Sequence, residues 1–127
     1  MNKDIQKWVE QSDYDFATAQ AMQKSKRYLY VLFCCQQAIE KRMKGLVIKR
    51  TNEMPPKTHD LLRLAGLAKL ELSEEQELFL RRLCNYYIEC RYPEEVQDLA
   101  RQAHHELARD YLKQTKELLK WLDLLLK

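Results

Sequence analysis

The residues that interrupt helices are few, and they stand at two main places in the chain. All three prolines lie there, as the pair Pro55-Pro56 and as Pro93, and the 127 residues include only two glycines. Proline cannot continue a helix, because it lacks an amide hydrogen and clashes with the preceding turn. Leu, Ala, Glu, Lys, Gln and Arg, which lose little entropy in helices, dominate the remainder. The sequence therefore predicts an all-α fold.

Apolar residues recur at steps of three and four along four long segments, a pattern typical of amphipathic helices. The four predicted main helices cover residues 2–23, 28–48, 73–90 and 98–126. A short helix with Leu61, Leu62 and Leu64 follows Thr58, which is predicted to cap it. We therefore predict one domain over residues 1–127, an antiparallel helical bundle of four main helices plus one short helix.

The last predicted helix carries two apolar rows. The first has heptad-like spacing and consists of Ala108, Tyr111, Thr115, Leu118, Leu122 and Leu125. The second consists of Leu112, Leu119 and Leu126. Because a seam of this kind packs against one neighbour, the second row needs another surface. We expect a homodimer, and a wide core face within one chain is the alternative.

Charge and cysteine content exclude several classes of protein. The 22 basic and 19 acidic residues are interspersed, which is a weak basis for coating duplex DNA, although a local basic patch remains open. The first residues show no secretory signal, and no apolar run approaches the roughly 20 residues of a membrane span, so we expect a cytoplasmic protein. The four cysteines lack the two-residue spacing of zinc sites and are interpreted as core residues. No metal or cofactor is expected.

Several polar residues in the second predicted helix are candidates for function. They are Gln36, Gln37, Glu40, Lys41 and Lys44. In a buried helix, unpaired polar groups cost several kcal/mol unless they are satisfied, so their presence there indicates a site. The alternative is a helix that turns a solvated face outward, with Glu40 and Lys44 as an ordinary surface ion pair four residues apart.

Two further positions lie where helices begin or end. His59 precedes the short helix, near exposed amides that attract anions, although it could instead act as a cap. Arg91 and Tyr92, held by Pro93, could present a guanidinium to a phosphate and a ring to a base. An arginine that compensates the C-terminal end of the preceding helix is the alternative.

In order and spacing, these pieces form a combination that covers nearly the whole chain. They are Trp8, Asp15-Phe16, Ala19, residues 36–45, Thr58-His59-Asp60-Leu61, Tyr87 and Arg91-Tyr92-Pro93. In this combination the sequence resembles the HEPN family. The resemblance implies a dimeric helical bundle, encoded in prokaryotes beside a minimal nucleotidyltransferase and proposed to bind nucleotides.

The resemblance also implies a polar groove. By position, its lining would be Glu40, Lys41, Lys44, His59, Tyr87, Arg91 and Tyr92, while Gly45 stands where the family more often has alanine. The leading hypothesis is that this groove, built around Arg91 and Lys44, binds a nucleotide or nucleic acid. The protein would act with a nucleotidyltransferase partner, as one half of a toxin–antitoxin pair.

One expected feature of the family's ribonucleases is missing. Their signature is an arginine followed, after four to six residues, by a histidine that can act in acid/base chemistry. From Arg91 these positions hold Val96, Gln97 and Asp98, and His104 lies too far on. Catalysis is therefore the less favoured interpretation. A ribonuclease toxin that uses His59 or Tyr87 with Arg91 and a non-catalytic interaction scaffold remain as alternatives.

Overall fold

The computed structural model describes residues 2–127, which form six α-helices and no strand. The helices are α1 (Lys3–Lys24), α2 (Tyr28–Thr51), α3 (Leu61–Leu67), α4 (Glu74–Cys84), α5 (Pro93–Gln102) and α6 (His105–Leu126). The predicted all-α class is confirmed, and the number of helices is six instead of five. Within the described residues, every helix is too short or too polar to cross a bilayer.

Helix α2 is the central element, because it contacts each of the other five helices. Its first half is apolar on nearly all sides, and its buried residues extend from Leu29 to Ile48. Long helices α1 and α6 pack on it, and the shorter α3, α4 and α5 contact it as well. Each large apolar side chain buried in this way contributes roughly 1.5–3 kcal/mol of transfer free energy.

The directions of the long helices follow from contacts at their ends. A turn of residues 25–27 joins α1 to α2, so these two helices are antiparallel. Near the end of α2, Lys49 Nζ donates to the carbonyl of Leu126 at 2.7 Å. At the end of α1, Gln23 Nε2 donates to the carbonyl of His105 at 3.2 Å. Helix α6 is therefore antiparallel to α1 but parallel to α2, and the predicted antiparallel arrangement is wrong for that pair.

The predicted helix over residues 73–90 ends early, at Cys84. The chain then turns, and the two following tyrosines pack in different places. Tyr86 meets the ring of Tyr111 edge-on at 5.8 Å, whereas Tyr87 stacks on His59. The amides of Tyr86 and Tyr87 donate to the carbonyls three residues back, so the α-helical hydrogen bonding has already given way to a tighter turn. The predicted continuation of this helix to Cys90 is therefore wrong.

The last predicted helix, residues 98–126, is two helices. Pro93 does not stop the chain but opens α5, since proline is tolerated at the first helical position. After α5, the backbone at His104 is extended, and its Nδ1 accepts a hydrogen bond from the amide of Leu107 at 3.3 Å. His104 is therefore the cap at which α6 begins.

The caps of α3 and α4 show one wrong and one correct prediction. Asp60, and not Thr58, caps α3, because its carboxylate accepts from the amide of Leu62 at 3.0 Å. Ser73 and Gln76 form the capping box that the sequence predicts. The Ser73 hydroxyl accepts from the Gln76 amide at 3.1 Å, and the Gln76 side chain accepts in return at 2.9 Å.

The second apolar row of α6 is covered within the chain. Leu119 and Leu126 are buried in the monomer, and Leu112 is partly buried against the core. The alternative of a wide core face therefore accounts for these side chains. The homodimer stays a prediction, because this row no longer requires a partner.

The cysteines do not share one environment. All four are free; Cys35 is buried, Cys34 and Cys84 are half-buried, and Cys90 is exposed. Burial raises the pKa of Cys34 to about 11 and that of Cys35 to about 12. The interpretation as core residues is correct for Cys35 and wrong for Cys90, which lies in the turn after α4.

A buried arginine ties the three long helices together. Arg42 of α2 is 3% exposed and forms ion pairs with Asp13 of α1 and Asp123 of α6. Its Nε donates to the hydroxyl of Ser12 at 3.1 Å, and that hydroxyl donates to the carbonyl of Ala38. Guanidinium donors on three sides therefore fix the relative positions of α1, α2 and α6.

Candidate functional site

A buried carboxylate lies in the middle of α2. Glu40 is 3% exposed, and each of its oxygens is engaged. Oε1 accepts from Gln36 Nε2 at 3.1 Å and lies 2.9 Å from His59 Nδ1. Oε2 accepts from Lys44 Nζ at 3.1 Å. Since Lys44 is only 6% exposed, the Glu40–Lys44 contact is an interior ion pair, and the solvated-face alternative is wrong for these residues.

Two contacts with α2 fix the position of His59. Its ring meets Glu40, and its backbone carbonyl accepts from Gln36 Nε2 at 3.3 Å. A carboxylate can only accept, so the proton of the shared hydrogen bond belongs to Nδ1 of His59. The other ring nitrogen, Nε2, is left without a bond to Glu40. His59 is therefore oriented by the helix although its side chain is 48% exposed.

Tyr87 forms the second layer of this arrangement. Its ring lies 3.8 Å from the His59 ring, centroid to centroid, with an interplanar angle of 14°. The ring of Phe33, on α2, lies 6.0 Å from the ring of Tyr87, centroid to centroid. Burial raises the pKa of the Tyr87 hydroxyl, and the carboxylate of Glu89, which accepts its hydrogen bond at 3.3 Å, raises it further. The phenol therefore stays neutral at physiological pH, and the stacked pair is a flat platform.

A cavity of about 420 Å³ opens beside the stacked rings. It is lined by His59, Asp60, Leu62, Arg81, Cys84, Tyr87, Cys90 and Arg91. Cavities of roughly 300–1,000 Å³ hold small ligands. This one combines two guanidinium groups with ring faces.

Arg91 has donor capacity left for a ligand. Its Nη1 donates to Glu95 Oε2 at 3.1 Å, one helical turn further on. Its Nε is buried and has no hydrogen-bond partner among residues 2–127. A buried donor without a partner costs about 1–3 kcal/mol, and a small turn of the side chain that brought Nε to an acceptor in the cavity would recover this cost.

Another cavity, of about 270 Å³, lies between α4 and α6, and it is chemically different. Its lining contains Glu75 and Glu117 and no cation. An acidic lining repels phosphate groups. The cavity at Arg91 is therefore the better candidate for an anionic ligand.

Comparison with known proteins agrees with this architecture. The model of the family described as "HEPN domain" matches residues 5–125. The chain belongs to the HEPN family. Among solved structures, the chain is similar to TT1696 from Thermus thermophilus, with a TM-score of 0.80 and 27% identity. The match covers 98% of this chain and 99% of that one. A comparison with curated proteins finds none that matches.

Four of the seven site residues predicted for this HEPN domain come together. His59, Tyr87 and Arg91 line the cavity, and Glu40 supports His59 from beneath. Lys44 is connected to the cavity only through Glu40. Thus Arg91 and Lys44 belong to one linked arrangement but do not face each other across an open groove.

The other predicted residues point elsewhere. Lys44 Nζ lies 5.3 Å from the centroid of the Trp8 ring, and Lys41 pairs with Asp15 of α1 at 2.6 Å. Both lysines therefore help to hold α1 on α2. Tyr92 is 77% exposed and lies outside the lining of the Arg91 cavity.

The structure adds residues to the site that the sequence did not indicate. Arg81 supplies a second guanidinium from the last turn of α4 and pairs with Glu77 at 2.7 Å. Its only sequence signal is that it precedes Tyr87 by about two helical turns. The alternative role for Arg91 fails as well, because α4 ends at Cys84, well before it. Arg91 instead precedes α5.

His104, at the start of α6, does not lie close enough to Arg91 to form the arginine–histidine pair of HEPN ribonucleases. Arg91 stands just before α5, and His104 stands just after it. The ten residues of α5 separate them by about 15 Å along its axis. Within one chain, the histidine that meets the Arg91 cavity is therefore His59.

Proposed function

We propose that this HEPN domain binds a nucleotide, free or within a nucleic acid, in the cavity at His59, Tyr87 and Arg91. The supporting observation is that a stacked pair of rings and an arginine with a free buried donor line one cavity. Every nucleobase has a face that stacks on aromatic rings. Guanidinium groups match phosphate oxygens in geometry and charge.

The buried ion pair makes the cavity suitable for an anion. Glu40 alone would place a negative charge directly behind His59. Lys44, at 3.1 Å from its other oxygen, compensates that charge. The carboxylate can therefore orient the His59 ring without repelling a phosphate at Arg91.

Calorimetric titration tests this proposal. The purified protein would be titrated with adenosine and uridine monophosphates and triphosphates, and compared with Arg91→Gln. Charge-assisted hydrogen bonds contribute about 1.5–3 kcal/mol, so we expect Arg91→Gln to weaken binding by roughly ten- to a hundredfold. Arg101→Gln is the matched control, because Arg101 is an exposed arginine of α5 paired with Asp98. Equal affinities in the two variants would refute the assignment of the cavity.

The wider role that we propose is half of a toxin–antitoxin pair, in which a homodimer of this chain acts with a minimal nucleotidyltransferase in the cytoplasm. Membership of the HEPN family supports this role. Co-expression with a nucleotidyltransferase encoded beside it, followed by copurification and growth measurements, is the test. Failure of the two proteins to associate would leave the nucleotide-binding proposal intact.

A ribonuclease is the second candidate, and the Glu40–His59 contact favours it. With Nδ1 bound to the carboxylate, Nε2 could accept the proton of a ribose 2′-hydroxyl. The 2′-oxygen would attack the adjacent phosphorus, the bond to the 5′-oxygen would break, and a proton from water or Tyr87 would neutralise that oxygen. Arg91 would stabilise the charge on the phosphoryl oxygens.

Single-stranded RNA incubated with the protein in the presence of a chelator distinguishes the two candidates. Cleavage that His59→Gln and Arg91→Gln abolish, and that His104→Gln leaves unchanged, would establish the nuclease. RNA that stays intact while nucleotide affinity depends on Arg91 would leave binding as the function.

A further inference from the structure

The last residue of α1 and the turn after it, residues 24–27, carry unpaired positive charge and are called the basic turn here. Lys24, Lys26 and Arg27 are all exposed, and none takes part in an ion pair among residues 2–127. Some exposed cations are neutralised locally, as Arg81 and Arg101 are by carboxylates on their own helices, whereas Lys113, Lys116 and Lys120 of α6 are unpaired like those of the turn. What sets the turn apart from these lysines is the cavity and the rings beside it. The field of the turn is therefore available to an anionic partner.

Aromatic rings lie next to these cations. A cavity of about 280 Å³ is lined by residues 26–30 together with Ala100 and Ala103 of α5. The two small alanines leave room beside Tyr28 and Tyr30, and Tyr30 is 48% exposed. Cations beside accessible rings are the combination that binds single-stranded nucleic acids, through phosphates and stacked bases respectively.

The turn and the Arg91 cavity lie at opposite ends of α5. Arg91 stands just before this helix, and Ala103 stands just after it, about 15 Å away along the axis. On α2, Tyr30 and Phe33 are three residues apart and share one face. The ring of Phe33 lies 6.0 Å from that of Tyr87. Rings therefore follow one another from the basic turn to the stacked pair.

We infer that residues 24–30 are a second contact surface for one strand of nucleic acid, and that a nucleotide further along the same strand occupies the His59–Tyr87 cavity. This inference rests on the proposed function and narrows its ligand to a single-stranded oligonucleotide. The unpaired cations contact phosphates, and Tyr30 contacts a base. A mononucleotide would reach only the cavity.

Fluorescence anisotropy with a labelled single-stranded RNA of about ten nucleotides measures binding to the whole surface. Calorimetry with a mononucleotide measures binding to the cavity alone. The test variant replaces three cations of the turn, Lys24→Gln, Lys26→Gln and Arg27→Gln. The matched control replaces three exposed, unpaired lysines of α6, Lys113→Gln, Lys116→Gln and Lys120→Gln.

We expect the turn variant to bind the RNA at least tenfold more weakly than the α6 control. Three lost phosphate contacts should lower the slope of log affinity against log salt by about 2, since single strands release about 0.7 counterions per contact. Mononucleotide affinity should change less than twofold in both variants. A second variant, Tyr30→Ser, should weaken RNA binding without changing the salt slope.

Several results would overturn the inference. Equal RNA affinity in the turn variant and the α6 control excludes the surface. If RNA binds no more tightly than a mononucleotide, the second surface is also excluded, whereas the proposed binding in the cavity is unaffected. RNA binding that needs the turn but not Arg91 supports the surface and refutes the cavity. A polyglutamate peptide that displaces the RNA at similar concentration would show recognition of charge alone, against nucleic acid as the partner.

Discussion

Replacing Glu40 with glutamine tests the energetics of the buried network most directly. The substitution keeps the shape of the side chain and removes one negative charge. Lys44, whose side chain is 8% exposed, then keeps its ammonium group in the interior without a carboxylate. His59 also loses its anionic partner.

The expected loss follows from the burial of the pair. Breaking a buried ion pair by removing one partner typically costs 3–5 kcal/mol, because the remaining charge is uncompensated. Glutamine can still accept one hydrogen bond from Lys44, so we expect the lower end, about 3 kcal/mol. Domains have a total stability of only about 5–15 kcal/mol, so this loss is large.

Urea unfolding followed by circular dichroism measures the effect. With a slope of about 2 kcal/mol per molar urea, the midpoint should fall by about 1.5 M. Glu77→Gln is the matched control, because Glu77 pairs with Arg81 at the same spacing on an exposed helix face. Exposed pairs contribute about 0–1 kcal/mol, so the control should hardly shift. Similar midpoints for Glu40→Gln and Glu77→Gln would refute the buried-pair reasoning.

A double variant separates stability from function. Glu40→Gln combined with Lys44→Met removes both charges, and we expect stability to return to within about 1 kcal/mol of wild type. Nucleotide affinity should stay reduced, because the ring of His59 remains without its carboxylate. Restoration of both properties would show that Glu40 has no role in positioning His59.

Local geometry predicts the effects of four other substitutions. Gly45→Ala should raise stability by about 0.5–1 kcal/mol in thermal unfolding, because an added Cβ meets its neighbours at 3.6 Å or more and alanine favours helix. Arg42→Met should lower stability by about 1–2 kcal/mol in urea, because the ion pairs with two half-exposed carboxylates and the hydrogen bond to Ser12 are lost. Arg81→Ala should lower it by less than 1 kcal/mol. Cys90→Ser should abolish the fast phase of alkylation at pH 8, since burial raises the pKa of Cys35 to about 12.

The buried thiol also predicts a dependence of stability on pH. Folding raises the pKa of Cys35 from 9.0 to about 12, so the folded state holds a proton that the unfolded state releases. Its contribution is complete below pH 9 and is lost as pH rises from about 9 to 12. Cys35→Ala should flatten the decline in unfolding free energy over this window. An identical decline in the variant would contradict the assignment.

Local sequence signals specify much of the helical framework. The apolar periodicity predicts α1 and α2 to within three residues at each end, and the Ser73–Gln76 capping box marks the start of α4. These features depend on neighbours within one or two turns of the chain. Cap residues and apolar spacing can therefore be identified from the sequence without a tertiary structure.

The wrong predictions concern segments whose contacts are with residues distant in the sequence. After the turn at Cys84, Tyr86 packs on Tyr111 and Tyr87 stacks on His59, and no local spacing encodes either contact. The parallel direction of α2 and α6 also depends on residues that are distant in the sequence. It is set by where the segment α3–α5 places the start of α6.

The candidate site divides in the same way. The sequence by itself determined the residue types, since a carboxylate and a lysine four apart in a helix, a histidine before a helix and an arginine before a proline can all be identified from it. Only the tertiary structure decided that Glu40, His59, Tyr87 and Arg91 assemble, and that Lys41 and Tyr92 point elsewhere. The physical reason is that burial and long-range pairing depend on which helices pack together, which spacing along the chain does not specify.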